Sequence, residues 1–159
     1  MQTDLENYWH MAENHYLNKN EVAGFKKEIG ILKQRLSLYE TLRDKEITIL
    51  QAVADRVEVQ DDKMAEKAFQ HWIATLRYCA MAMLLNNPEF LSHRLLEWLT
   101  DIVQSYEIQG IEAEIVKELE IELKTVLSLE DYGLISPFLD QAKNTLINTS
   151  STSSAAAVI

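Results

Sequence analysis

Residues Leu76–Pro88, LRYCAMAMLLNNP, decide the fold, because they have the composition of a buried helix that ends in a turn. They close a segment that begins at Lys63 and carries apolar side chains around much of the helical circumference, which is typical of a central helix. Pro88 disfavours helical geometry in the residue before it, so the helix should end near Leu85. The stretch predicts a central, buried helix followed by an Asn-Asn-Pro turn.

Cys79, within the same stretch, is the only cysteine of the chain. A single cysteine excludes an intrachain disulfide and any multi-cysteine zinc or iron–sulfur site. It shares a helical stripe with Trp72, Leu76 and Met83, where a free cysteine behaves as a small hydrophobic side chain. We therefore expect Cys79 to pack in the core and not to attach a ligand.

Upstream of this helix, apolar periodicity predicts two more helices. Thr3–Glu6 has the form of a capping box and should begin a short helix with aromatic side chains along one side. Asn20 is the expected N-cap of a much longer helix, in which a phase change at Arg43–Lys45 predicts a bend or the start of a new helix. The core stripe predicted for the long helix comprises Val22, Phe25, Ile29, Leu32, Leu36 and Tyr39.

Downstream of the turn, the same periodicity predicts a helix that ends before Gly110 and a Glu-rich helix after it. The acidic residues of the Glu-rich helix, among them Glu112 and Glu114, are expected on a solvated face. Ser128–Asp131 has the form of an N-cap and Gly133 is expected to interrupt the helix after it. Ser136–Pro137 has the cap-then-proline pattern that predicts the start of the last helix. No segment alternates with the period of two that a half-buried strand needs, so the predicted fold class is all-α.

The 159 residues of the chain fit one domain with one core. The predicted divisions are a helical arm at 1–19, a helical domain at 20–147 and a tail at 148–159. The tail consists largely of Ser, Thr and Ala and has almost no core-forming residues. We expect it to be disordered or to be an expression remnant.

The chain is acidic, with a formal net charge of −10 and a pI near 4.8. A nucleic-acid surface needs clustered Lys and Arg, so this balance argues against DNA or RNA as a partner, and it also disfavours an anionic membrane surface. No run approaches the ~20 apolar residues that cross a bilayer, and the start lacks the features of a signal peptide. We expect a cytoplasmic protein without a transmembrane segment.

The sequence carries no motif for catalysis or metal binding. It has no Gly-rich phosphate loop, nucleophile elbow or HExxH pattern, so we expect no enzymatic activity and no catalytic residues. His71 and Thr75 stand one helical turn apart without a further histidine or carboxylate at ligand spacing. His10 and His15 lie five residues apart, on different sides of a helix. No metal site is expected.

Four stretches of the chain, in this order, resemble the phycobiliproteins, the globin-like antenna subunits of cyanobacteria and red algae. The strongest is Leu76–Pro88, which is similar to a helix end and turn of that family, and Glu89–Leu99 is similar to the segment after it. Tyr16–Val22 resembles the entry to the first long helix of the family, and Lys33–Leu36 resembles a motif within that helix. The resemblance covers about residues 5–147 and implies a globin-like helical bundle with an N-terminal helical arm.

The departures from the family pattern fall where the family binds its pigment. Members attach a linear tetrapyrrole to a cysteine before the LRY segment, and an Arg-Asp pair after that cysteine holds the propionates and ring nitrogens. Counted back from Leu76, the cysteine position is Ala68 and the pair is Gln70 and His71. Ala supplies no thiol, and neutral Gln cannot pair with a propionate as a guanidinium does. The resemblance therefore implies no covalent bilin, and no cofactor is expected.

The resemblance also implies a dimer, with a second copy or with a related chain, because the arm of family members packs against a partner subunit. Trp and Tyr dominate interface energetics, although packing of the arm on its own bundle is the alternative. An arginine on an otherwise apolar helix needs an acidic or backbone partner, which the resemblance places at or near the interface. The residues expected at the interface are Leu5, Tyr8, Trp9, Ala12 and Arg77.

Three functions follow from the resemblance and its departures. The first is a pigment-free interaction module for the assembly, maintenance or regulation of the photosynthetic apparatus, phycobilisome or photosystem, associated with the thylakoid surface through its partners. The alternative is non-covalent binding of a tetrapyrrole, bilin or chlorophyll, in a remnant pocket near Gln70 and His71. The third is a haem-type sensor with His71 as axial ligand.

Overall fold

The computed structural model describes residues 4–57, 62–106 and 109–148 of the chain. These residues are almost entirely helical and contain no strand, which confirms the all-α prediction. Thr3 and the tail from 149 onward lie outside the described residues, so the predicted N-terminal capping box and the predicted disorder of the tail stay predictions. The helices are α1 (Asp4–Asn14), α2 (Lys19–Arg56), α3 (Asp62–Leu85), α4 (Pro88–Leu91), α5 (Glu97–Tyr106), α6 (Gln109–Val126) and α7 (Leu129–Lys143), with π-helical segments at Ser92–Leu96 and Asn144–Asn148.

Helix α3 is the central helix of the bundle, as its apolar circumference predicts, and it packs against α2, α6 and α7. Trp72, Cys79 and Met83 are fully buried along it. The thiol of Cys79 lies 3.5 Å from the carbonyl oxygen of Phe138 on α7, which confirms the predicted core position. Burial disfavours the thiolate and raises the pKa of Cys79 well above its ordinary value.

Helix α2 begins two residues earlier than predicted, because Asn18 and not Asn20 is its N-cap. The Asn18 side chain accepts from the amides of Asn20 and Glu21, each at 3.0 Å, and the Glu21 carboxylate accepts from the Asn18 amide at 2.8 Å. This reciprocal pair is a capping box. The prediction that Asn20 is the cap was wrong because the spacing to a Glu three residues on favours Asn18.

Helix α2 continues without interruption for 38 residues, so no new helix begins at Arg43–Lys45, and the bend that was the alternative stays a prediction. The C-terminal part of α2 buries side chains against the bundle, whereas the N-terminal part is accompanied by the 11-residue α1. The fully buried residues of α2 are Leu38, Leu42, Ile49 and Val53.

The core stripe predicted for α2 is therefore wrong over its first half. Leu32 is 39% exposed and Leu36 is 47% exposed, and Val22 is exposed as well. The periodicity of these residues is genuine, but the bundle itself covers them only in part. An apolar stripe that the chain leaves uncovered is typical of an interaction surface.

The turn after α3 forms as the Asn-Asn-Pro sequence predicts. Asn86 has a φ of +49°, in the left-handed region that Asn tolerates better than most residues. The side chain of Asn87 accepts from the amide of Phe90 at 3.1 Å and caps α4, in which Pro88 occupies the first turn. The helical chain then continues through the π-helical segment at Ser92–Leu96 into α5.

The N-cap predicted at Ser128 is confirmed, but α7 continues through Gly133, where an interruption was predicted. It begins at Leu129, where the Ser128 hydroxyl accepts from the amide of Asp131 at 3.1 Å, and it runs on through Pro137. Ser136–Pro137 therefore does not open the last helix. Pro137 removes one helical hydrogen bond, but Ile135 and Phe138 on either side of it are buried and hold the helix against the bundle.

Candidate functional site

The position that corresponds to the family's pigment cysteine is closed by packing. Ala68 is fully buried in the core on α3. Gln70 is exposed, and the side chain of His71 is largely buried. The three residues that depart from the family pattern thus lie on one helix turn with different environments, and only Gln70 faces solvent freely.

The side chain of His71 takes part in a buried polar cluster that joins α3 to α6. Its Nδ1 lies 2.7 Å from Oε1 of Glu112, and the indole Nε1 of Trp72 donates to Oε2 of the same carboxylate at 2.6 Å. The hydroxyl of Thr75 donates to the carbonyl oxygen of His71 at 2.7 Å. Glu112 is fully buried, so the expectation that it lies on a solvated face was wrong.

This arrangement determines what His71 can do chemically. A proton on Nδ1 satisfies the bond to Glu112, which leaves Nε2 as the nitrogen that can accept a hydrogen bond or bind a metal centre. No hydrogen bond from Nε2 to another described residue is present. Among the described residues, no three His, Cys, Asp or Glu side chains come together as a metal site.

The arm is held against α2 by Tyr8. Its ring meets the ring of Phe25 edge to face, with 5.4 Å between centroids. A Cβ at Gly24 would collide with the Tyr8 hydroxyl, so the Tyr8 side chain occupies space that Gly24 leaves open. Leu5 lies half-buried where α1 meets the end of α3.

Other apolar residues of the arm point away from the bundle. Trp9 is 67% exposed and Tyr16 is fully exposed, and Ala12 is exposed beside them. Of the arm residues expected at an interface, Tyr8 and Leu5 thus pack at least partly on their own chain, while Trp9 and Ala12 remain accessible. Their role at an interface stays a prediction.

Arg77 has an acidic partner, as expected, and the partner belongs to the same chain. Its Nε and Nη2 donate to the two carboxylate oxygens of Glu46 on α2 at 2.6 and 2.9 Å. These bonds raise the pKa of the guanidinium above its ordinary value. The pair lies in a groove of about 300 Å³ between α2 and α3, whose other lining residues are Tyr39, Leu42, Arg43, Leu76 and Ala80.

Sequence reasoning missed both carboxylates that complete these contacts. Glu46 and Glu112 lie 31 and 41 residues from their partners, on other helices. The sequence gives one sign of such a contact, which is an acidic residue among the apolar residues of a helix. Glu112 is an example, since it follows Ile111 and precedes Ile115 by three residues. A buried carboxylate needs hydrogen-bond donors, and α3 supplies them to Glu112 through the indole of Trp72 and the imidazole of His71.

Comparison with known proteins supplies one match. The model of a protein family described as phycobilisome protein matches residues 11–146. A comparison with curated proteins finds no match. The matched range includes Ala68, His71 and Arg77, and it begins within α1. Among the residues that the structure describes, no helix is long and apolar enough to cross a membrane.

Proposed function

The chain belongs to the phycobilisome protein family, and from that premise we propose that it is a pigment-free member whose work is to bind another protein of the photosynthetic apparatus. Members of the family assemble into oligomers with related chains and are generally structural, light-harvesting proteins without enzymatic activity. The proposed roles are assembly, maintenance or regulation of a phycobilisome or photosystem at the thylakoid surface.

The observation that carries this proposal is a set of apolar side chains that the chain leaves exposed on its arm and on α2. These are Trp9, Tyr16, Leu32 and Leu36. An aromatic side chain buries about 150–250 Å² at an interface, and roughly 25 cal/mol per Å² makes each worth on the order of 4 kcal/mol before association costs. Burial of such side chains stabilises a complex enough to offset part of the repulsion between acidic chains.

The absence of a covalent pigment is supported by Ala68. Its methyl group is buried in the core and offers no nucleophile, and Cys79 is equally buried with a thiol pKa raised by its surroundings. Neither residue supplies an accessible thiolate to a tetrapyrrole. The exposed Gln70 offers no positive charge for a propionate.

Association of the purified chain, measured by sedimentation over a concentration series, tests the proposal. We expect a dimer, or capture of a related chain from extracts of the native host, and we expect Trp9→Ala with Tyr16→Ala to abolish either. Ile47→Ala is the matched control, because Ile47 is an exposed apolar residue far along α2 from the arm. A monomer that captures no protein, or equal effects of arm and control variants, would contradict the proposal.

The dependence of association on salt concentration distinguishes apolar contacts from charge attraction. Two chains of net charge −10 repel each other, and added salt screens that repulsion. Apolar association should therefore tighten as the salt concentration rises. Weakening by salt would mean that charge pairs, not apolar contacts, dominate the complex.

We also propose a second candidate, non-covalent binding of a tetrapyrrole, which the geometry of His71 favours. Its Nδ1 is held by the buried Glu112, and Nε2 is left to accept from a pyrrole N–H or to bind the metal of chlorophyll or haem. The absorption spectrum of protein purified from its host tests this candidate. A visible band that His71→Ala removes would favour it, and a colourless protein would exclude it.

A further inference from the structure

A cavity of about 340 Å³ lies between α2, the turn after α3 and α7. Neither His71 nor any described residue of the arm lines it, so it is separate from both. Ligand pockets in proteins have mostly apolar walls, a few polar groups and volumes from about 300 Å³ upward, and this cavity has all three properties. Its apolar wall consists of Pro88, Leu134, Pro137 and Phe138, and its polar groups belong to Arg35, Asn86 and Gln141.

The positive charge of the cavity belongs to Arg35, which is half-buried. Its guanidinium forms no hydrogen bond or ion pair with any residue that the structure describes. Among the described residues no buried side-chain nitrogen or oxygen lacks a partner, so the unpaired nitrogens of Arg35 remain accessible to solvent. A guanidinium is weakly hydrated and fits a carboxylate with two parallel hydrogen bonds, so an anion can replace its water favourably.

Two amide side chains complete the polar part of the cavity. The Nε2 of Gln141 donates to the carbonyl oxygen of Pro88 at 2.9 Å and to the hydroxyl of Ser92 at 2.8 Å, which fixes the amide in place. Its Oε1 has no partner among the described residues. The Asn86 side chain has none there either, since the following residue, Asn87, is the one that caps α4. Both amides can therefore bond to a ligand.

We propose that this cavity binds a small carboxylate with a compact apolar body. The carboxylate pairs with Arg35, and the apolar body packs against Leu134, Pro137 and Phe138. The net charge of −10 opposes the approach of anions, so the ligand is a single carboxylate held by short-range contact and not a polyanion. The inference goes beyond the proposed function, because it requires neither a protein partner nor a tetrapyrrole.

Titration with phenylbutyrate, followed by NMR of the backbone amides, tests the inference. We expect saturable binding with the largest shifts at residues 133–141, which include the α7 wall of the cavity. Phenylbutyramide has the same apolar body without the charge, and we expect it to bind at least about tenfold more weakly, since a charge-assisted pair with the guanidinium is lost.

Arg35→Gln isolates the role of the charge. It should weaken phenylbutyrate binding at least about tenfold and leave phenylbutyramide binding unchanged. Lys33→Gln is the matched control, because it removes the same charge at an exposed position of α2 that does not line the cavity. Circular dichroism checks that each variant keeps its helical content.

Gly133→Leu isolates the role of the apolar wall. Gly133 lines the cavity, and a Cβ added there meets no atom within 4 Å, so the larger side chain extends into open space. It should weaken both probes alike. Gly30→Leu is the control, since Gly30 has open space around it as well and lies outside the cavity.

The absence of saturable binding would overturn the inference, and so would equal affinities of the native chain for the two probes. Arg35→Gln that binds phenylbutyrate as tightly as Lys33→Gln does would also overturn it. If Arg35→Gln loses its helical content, the comparison of Gly133→Leu with Gly30→Leu decides, because equal binding by those two variants would place the probe elsewhere.

Discussion

At the scale of single residues, Glu112 links α3 to α6 through a fully buried carboxylate. Its carboxylate accepts from His71 and from Trp72, and the side chain is fully covered. A carboxylate in that position is stabilised only while both donors remain. The core of this protein therefore depends on one charged residue as well as on its apolar packing.

Replacing Glu112 should consequently cost much more than replacing its neighbour. Glu112→Ala leaves the indole and imidazole N–H groups buried without acceptors, and we expect the free energy of unfolding to fall by about 2–5 kcal/mol. Glu114→Ala is the control, because Glu114 is only partly covered and has no hydrogen bond or ion pair with a described residue. Urea denaturation followed by circular dichroism measures both. Equal losses would mean that the cluster contributes nothing specific.

The burial of Cys79 could be predicted from the sequence, whereas the burial of Glu112 could not. An apolar residue on an apolar stripe is buried in almost any arrangement of neighbouring helices. A glutamate is usually exposed, and its burial here requires a tryptophan and a histidine from a helix about 40 residues away. Such a contact depends on the packing of α3 against α6, which no local pattern specifies.

At the scale of elements, two glycines of α2 lead to opposite predictions, because only Gly24 meets α1. Gly24→Ala places a methyl group against the Tyr8 hydroxyl and should release the arm, whereas Gly30 has open space around it. Gly30→Ala should instead stabilise α2 by about 0.5–1 kcal/mol, because alanine loses less conformational freedom. Hydrogen exchange of residues 4–14 reports the arm. Equal protection in both variants would show that Tyr8 does not hold it.

The capping box of α2 makes the stability of the folded chain depend on pH. The Asn18 amide, hydrogen-bonded to the carboxylate, holds the pKa of Glu21 below its ordinary value in the folded chain. The associated stabilisation is present above the unfolded pKa and is lost as the pH falls through the lowered folded pKa. The stability difference between the native chain and Glu21→Gln should shrink in that range. A difference independent of pH would contradict this role.

The sequence predicts which helices exist better than it predicts the residues at which they begin. Asn18 and Asn20 are equally good caps by type, and the Glu three residues after Asn18 decides between them. Ser136–Pro137 has the pattern of a helix start, yet α7 begins directly after its N-cap Ser128 and continues through both residues. A proline that can open a helix can also lie within one when buried neighbours hold the helix together.

At the scale of the whole molecule, Cys79 reports whether the fold opens. Its thiol is buried at the contact of α3 with α7, and burial raises its pKa. A maleimide should therefore react only during large opening events, and added urea should accelerate labelling in parallel with unfolding. Rapid labelling of the native chain would show that α7 separates from α3 without global unfolding.

Covalent pigment attachment is a second property of the whole molecule. Co-expression with bilin synthesis and attachment enzymes should yield a colourless chain, because Ala68 has no thiol and Cys79 is enclosed. Zinc-enhanced fluorescence of the denatured chain detects any attached bilin. Fluorescence that Cys79→Ser removes would contradict the proposed pigment-free role.

The family and the all-α fold could be predicted from the sequence because motifs and periodicity are local. The extent of the core could not. Leu32 and Leu36 have the same spacing as buried residues, and only the packed bundle shows that the chain does not cover them fully. Periodicity identifies an apolar side of a helix but not whether the same chain or another molecule covers it.

The three tryptophans also make the protein its own optical probe. Trp72 is fully buried with its indole bonded to a carboxylate, while Trp9 on the arm and Trp98 on α5 are both exposed. Iodide in solution should quench the emission of the two exposed indoles and leave a component at shorter wavelength from Trp72. A partner that covers the arm would protect Trp9 alone, so the quenchable fraction of the light would count how many arms are occupied.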